Sequence, residues 1–294
     1  MKKILILLII VSLSLFSVGC KNTTASVNTN SKVAASSENK SNNNSTNKVS
    51  SNSNTPNNIK TQTKQEDLKY NNEGIPVLMY HSVKYEKDNP VRIPVEKFKE
   101  QMKYLKDNGY STLSLDELYD FLENNKPIPK KSVVLTFDDG YKDNYENAYP
   151  ILKEYGFKAT IFMITSCIGT GEYLTLNQLK ELQQNGIDIE SHTVNHEKLN
   201  TLSYEKKLET LKTSKETLEK LLNKEVKYIA YPYGNYDDSV VRAAKASGYK
   251  LAVTTKGTWS DKADGILTLD RVHISGFSDL DNFKLRISTP DYNK

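Results

Sequence analysis

The sequence predicts an α/β fold: a mostly parallel sheet, covered by helices, curled into a single β/α barrel of about seven strands. Three observations predict it. From about Gly74 onward, short apolar runs alternate with amphipathic stretches, the pattern of strands joined by crossover helices. The region 71–294 is long enough for one barrel. It contains no internal repeat and no composition break that would mark a second domain.

The N-terminal end is of a different kind. Met1-Lys2-Lys3 supplies a positive start, and 4–18 is an apolar run broken only by serines. That run is short for a membrane span and right for a signal-peptide core. It ends in Ser17-Val18-Gly19-Cys20, which resembles the bacterial lipoprotein cleavage site, although Ser17 stands where leucine is usual. Residues 1–19 are therefore expected to be a lipoprotein signal peptide, with Cys20 lipidated as the membrane anchor. A plain secretory signal with an incidental cysteine is the alternative. Residues 20–70 are rich in Ser, Asn and Lys with no aromatic before Tyr70. Such a stretch buries too little apolar surface to offset its ordering entropy, so a disordered tether is expected. It would give an anchored domain reach into the cell wall.

Strands are expected at 76–80, 132–137, 159–164, 187–190, 226–231, 249–254 and 266–269. Between them, Ser114 with Glu117 and Thr175 with Gln178 have capping-box spacing, which marks helix starts. Phe98, Met102 and Leu105 share one helical face, and Gly109 is a plausible stop. The longest helix is expected from Ser203, with Leu208, Leu211, Leu218, Leu221 and Leu222 facing the core. Another starts at Asp237 or Asp238 and ends at Gly248. Cys167 follows an apolar strand and reads as a small core residue; with Cys20 lipidated it has no disulfide partner.

The net charge of +4 belongs to the tail rather than the domain. Lys2, Lys3 and seven lysines in 21–70 outweigh Glu38, Glu66 and Asp67, so the region from Asn71 onward carries −2. A basic tail suits anionic lipid or wall polymer. The domain lacks the basic footprint of a nucleic-acid binder, so no nucleic-acid partner is expected.

Polar residues collect after the predicted strands. Thr136-Phe137-Asp138-Asp139-Gly140 ends a run of continuous apolar residues. Adjacent carboxylates repel, and a metal bound to one would leave the other as a base. An ordinary Asp-Asp-Gly turn is the bland alternative. Ser191-His192-Thr193-Val194-Asn195-His196 follows the next strand but one. One helical turn would put His192 and His196 on one face, as a metal requires; a solvated pair is the alternative. With Asp139 they offer two nitrogens and one oxygen, leaving a position open for water as catalytic sites do. Tyr231-Pro232-Tyr233-Gly234 reads as a fixed turn with close backbone approach. His81 and Arg271-Val272-His273 complete the set. The chain has four histidines, and all follow predicted strands at one end. In parallel β/α folds that end carries the active site.

These residues resemble the polysaccharide deacetylase (NodB-homology) family of carbohydrate esterases. TFDDG matches its first motif, SHTVNH its second and YPYG part of its third, in order, over essentially the whole region from Gly74. The resemblance implies a distorted (β/α) barrel and a divalent metal, commonly zinc, with cobalt or nickel as alternatives. By position, Asp138 is the catalytic base, and Asp139, His192 and His196 hold the metal. The metal and Asp138 activate water, and the backbone amide of Tyr233 supports the oxyanion. The family's usual third-motif arginine, which orients the aspartate, is replaced by Ala230; Arg271 is the expected substitute. The opening Pro76-Val-Leu-Met-Tyr-His81-Ser-Val resembles the branch acting on poly-β-1,6-N-acetylglucosamine. There the acid is the early histidine, which favours His81 over His273. Trp259 and Tyr233 are candidates for lining a sugar groove, although Trp259 could equally pack a loop. The expected partner is an N-acetylglucosamine polysaccharide at the outer face of the membrane. Peptidoglycan deacetylation, O-acetyl xylan esterase activity and non-catalytic glycan binding are the alternatives.

Overall fold

The computed structural model describes residues 67–293, so the leader, Cys20 and the tether through Glu66 lie outside the described residues. The strands are β1 (Leu68–Lys69), β2 (Val77–Tyr80), β3 (Ser111–Leu113), β4 (Ile128–Pro129), β5 (Ser132–Phe137), β6 (Ala159–Met163), β7 (Ile187–Ser191), β8 (Tyr228–Ala230), β9 (Leu251–Val253) and β10 (Val272–His273). The helices are α1 (Val95–Asp107), α2 (Leu115–Asn124), α3 (Tyr149–Tyr155), α4 (Leu176–Gln184), α5 (Tyr204–Leu222), α6 (Asp238–Ala246) and α7 (Leu280–Ser288).

Seven strands pair in the order β10-β2-β5-β6-β7-β8-β9, all parallel, with β3 added beside the first half of β5. The sheet curls far enough for its two edges to share one short segment. Leu269 bridges Val253 of β9, and Val272 pairs with Leu78 of β2. Three residues of chain span at most about 11 Å, so the edges lie that close and 269–273 fills the seam of a distorted barrel.

Side-chain alternation explains the two buried clusters. Val77, Val134, Phe162, Ala230 and Val253 pack together with Leu115, Leu118 and Phe121 of α2. Leu78, Leu135, Ile161, Ile189 and Ile229 face the other way, beneath the remaining helices. β5 is buried along its whole length, as a central parallel strand should be. Both expected capping boxes form, at Ser114–Glu117 and Thr175–Gln178. Ser203 and Asp237 cap α5 and α6.

Three expectations change. The segment 266–269 is not a strand: a Gly265–Thr268 turn interrupts it, and the seventh strand of the barrel is β10. Ordered structure starts before residue 71, because β1 pairs antiparallel with β4 and the Lys69 ammonium donates to the Gly74 carbonyl at 2.7 Å. β3 and α7 carry little sequence signal, one being three residues long and the other weakly amphipathic.

Candidate active site

Val134, Thr136 and Asp138 are spaced by two along β5 and its exit, so they share the inner face of the barrel. The chain then turns sharply. Asp139 and Gly140 both have positive φ, 71° and 80°. Asp tolerates that conformation better than most side chains, and glycine accepts it freely. Gly140 is also required for space, because a Cβ there would stand 2.1 Å from the Met163 sulfur. The turn thus sends neighbouring carboxylates in different directions.

His192 and His196 come together, but not through the expected helical turn. Thr193 and His196 have φ of 67° and 57°, so 192–196 is an irregular loop. Part of its backbone is satisfied across the fold instead: Val194 donates to the Thr210 hydroxyl, and the Thr193 and Val194 carbonyls accept from Thr165 and Ser166. The imidazole of His192 is fixed through Nδ1, 2.8 Å from the Ala230 carbonyl, which turns Nε2 toward Asp139. Both histidine Nε2 atoms lie 3.5 Å from Asp139 Oδ1, and one ligand atom from each residue falls within 4.8 Å of the others. Asp139 Oδ1 is buried and has no hydrogen-bond partner. Two ligands about 2.1 Å from a tetrahedral ion stand roughly 3.4 Å apart, so this donor set fits a divalent metal of the zinc class.

Asp138 has a different partner. Arg271, fully buried in the seam, donates from Nη1 to Oδ1 and from Nη2 to Oδ2, both at 2.7 Å. Its remaining donors reach the Thr254 carbonyl at 2.7 Å and the Thr136 hydroxyl at 3.1 Å. Burial alone would raise the Asp138 carboxyl, but the guanidinium beside it, with help from His192, holds it well below the usual carboxylate range. Asp138 is therefore an ionised carboxylate in a buried place.

Tyr233 sits in the turn after β8 with φ 59° and is half exposed. The following amides of Gly234 and Asn235 are used by the carbonyls of Tyr231 and Pro232. The Tyr233 ring lies 4.4 Å from His196, centroid to centroid. His81 leaves β2 beside the cluster, and its ring centroid is 6.4 Å from that of His273. Burial lowers the His81 pKa, opposed by the charges of Asp138 and Asp139. His273 is pushed down to about 4 by burial and then by His81 and the two nearby arginines, Arg286 and Arg271.

Asp138, Asp139, His192, His196, His81, His273 and Tyr233 thus gather at the C-terminal ends of the strands, and Arg271, which precedes β10, reaches Asp138 from the seam. Trp259 does not join them. Its neighbour Ser260 bridges Ile75, before the start of β2, and its indole nitrogen donates to Arg286 in α7 at 2.8 Å. It packs at the other end of β2 from His81. Contributors that the sequence does not announce include the Ala230 carbonyl on His192 and the polar run Asp143, Asn144 and Asn147 beside His81. The spacing of that run is a visible signal; a backbone carbonyl has none.

Comparison with known proteins agrees with this geometry. Residues 125–252 match the polysaccharide deacetylase family model. The provisionally named polysaccharide deacetylase YxkH of Bacillus subtilis is 42% identical over 201 residues, covering 68% of this chain and 71% of YxkH. The chain belongs to the polysaccharide deacetylase family. As a polysaccharide deacetylase it is a hydrolase acting on polysaccharide acetyl groups. A poly-β-1,6-N-acetyl-D-glucosamine N-deacetylase of Staphylococcus epidermidis is 31% identical over 227 residues, covering 67% of this chain and 78% of its own. Among solved structures, the Streptococcus pyogenes deacetylase PplD in complex with acetate superposes with a TM-score of 0.71 at 38% identity, over 74% of this polysaccharide deacetylase and 99% of PplD.

Proposed function

We propose that this deacetylase removes N-acetyl groups from an N-acetylglucosamine polymer at the cell envelope, by preference poly-β-1,6-N-acetylglucosamine. Asp139, His192 and His196 would hold a divalent ion of the zinc class. One observation carries the reading: Asp138 is an ionised base fixed by a two-pronged Arg271 contact, one residue from the metal-ligand cluster. The staphylococcal relatives, named for poly-β-1,6-N-acetylglucosamine, support the choice of polymer.

When bound, the ion supplies Lewis acidity, drawing the pKa of a water toward neutrality and polarising the acetyl carbonyl. Asp138 accepts the proton of the attacking water. Arg271 keeps that carboxylate charged and aimed, so it need not reorganise during the reaction. The Tyr233 amide, spared by the hydrogen bonds of its own turn, donates to the oxygen that becomes negative. His81 delivers a proton to the amine nitrogen as the carbon–nitrogen bond breaks, because an amine leaves poorly as an anion. Acetate and a free amine result. Burial lowers both histidines, but at His81 the charges of Asp138 and Asp139 oppose the shift, whereas His273 is pushed down to about 4, so His81 suits the acid's role better. A lipid on Cys20 and the tether would place this chemistry in the cell wall zone.

The test is acetate release by the purified zinc-loaded chain from poly-β-1,6-N-acetylglucosamine oligomers, chito-oligomers and peptidoglycan. The first should be fastest. Faster release from peptidoglycan would move the reading to wall remodelling, and no release from any would overturn it.

A further inference from the structure

We propose that Asp143, Asn144 and Asn147 form a clamp that positions His81 for proton transfer, an assignment that rests on His81 being the acid. After the active-site turn the chain enters α3 through a π-helical stretch, Asn144–Ala148. Such stretches concentrate at functional sites, where widening the helix changes the direction of side chains. Here three side chains meet one short piece of backbone. Asn144 Nδ2 donates to the His81 carbonyl at 2.7 Å. Asp143 accepts from the Ser82 hydroxyl at 2.7 Å and from the Val83 amide at 2.8 Å. Asn147 Nδ2 donates to the Val83 carbonyl at 2.8 Å. Three consecutive residues leaving β2 are thereby held from one side.

A loop at the end of a strand can satisfy its backbone with water, so its fold alone does not require this arrangement. The clamp is also set deep: Asn144 is 1% exposed and Asp143 8%. Burying such groups is costly unless they are partnered. The Asp143 carboxylate and the Asn144 amide nitrogen both bond to the His81 segment, while Asn144 Oδ1 is buried without a partner. The imidazoles are held in different ways. His192 is oriented through its own Nδ1, whereas the His81 Nδ1 is buried without a partner. The placement of the His81 ring is therefore inherited from its backbone, which is what the clamp grips. The clamp also lies on the segment that carries Asp138 and Asp139, so base, metal ligand and acid are tied to one stretch of chain.

The test is a double-mutant cycle on the full, metal-loaded chain with an N-acetylglucosamine oligomer as substrate, checking metal content and circular dichroism of each variant. Asn144→Ala should lower kcat about 10-fold or more with KM little changed, since small misplacements of catalytic groups are costly. In a His81→Ala background the same change should cause no further loss, because the clamp acts through His81. Asp143→Asn, which keeps an oxygen for the Val83 amide, should retain most activity where Asp143→Ala loses it. If Asn144→Ala does not fold, Asn147→Ala, which removes a single bond, enters the same cycle. An equal loss with and without His81 would reduce the three residues to supports of the fold and overturn the proposal. Near-full activity in His81→Ala alone would instead remove the acid assignment on which the clamp depends.

Discussion

Arg271 shows how a family motif can be rebuilt from a distant part of the chain. The third motif begins with Ala230, whose carbonyl holds His192, and the cation facing Asp138 comes from the barrel seam instead. Removing one partner of a buried ion pair leaves the other uncompensated, at about 3–5 kcal/mol. Arg271→Ala should therefore lower stability by that order and reduce kcat about 100-fold, as measured by thermal unfolding and acetate release. The pH dependence has a definite sign. A carboxylate whose folded pKa is depressed contributes stability above its unfolded value, about 3.9, and loses it as pH falls through the folded value. With Arg271 in place, Asp138 should put no acidic limb on the rate above about pH 4. In Arg271→Ala, burial acts without its counterweight, the Asp138 pKa rises, and an acidic limb should move up into the measured range. An unchanged profile would contradict the role given to Arg271.

At the scale of elements, the site is built from turns at strand ends, and three of them, at 139–140, 193–196 and 233–234, depend on a backbone conformation few residues tolerate. Gly234 has φ 66°, and a Cβ there would stand 2.1 Å from the Thr255 hydroxyl oxygen. Gly234→Ala should cost roughly 1–3 kcal/mol and lower kcat further than stability explains, because the displaced turn carries the Tyr233 amide. Melting temperature and turnover measured together would check it; wild-type turnover would separate Tyr233 from the chemistry. Strand and helix starts were legible here because local chemistry sets them: caps at Ser114, Thr175, Ser203 and Asp237, and apolar runs in β5 and β6. The loop at 192–196 was not. An H-x3-H spacing suggests a helix, but the Thr193 and Val194 backbone groups find partners in other segments, which sequence spacing cannot display.

At the scale of the whole molecule, parallel strands put every exit at one end, so four histidines scattered over 81–273 become neighbours. That convergence was readable from the order of elements. Which segment closes the barrel was not, because β10 is two residues long and the seam joins β2 to β9 only through Val272 and Leu269, partners far apart in sequence. The same closure brings Arg271 to Asp138, across 133 residues of sequence. The central claim is a metal-assisted hydrolysis with Asp138 as base, and one measurement tests it most directly. Acetate release from an N-acetylglucosamine oligomer would be followed after chelation and after reloading with zinc, for the parent chain and for Asp138→Asn. The parent should lose activity on chelation and regain it near one equivalent of zinc, while Asp138→Asn should bind zinc and stay inactive. Turnover that survives chelation, or a zinc-loaded Asp138→Asn as active as the parent, would contradict the account.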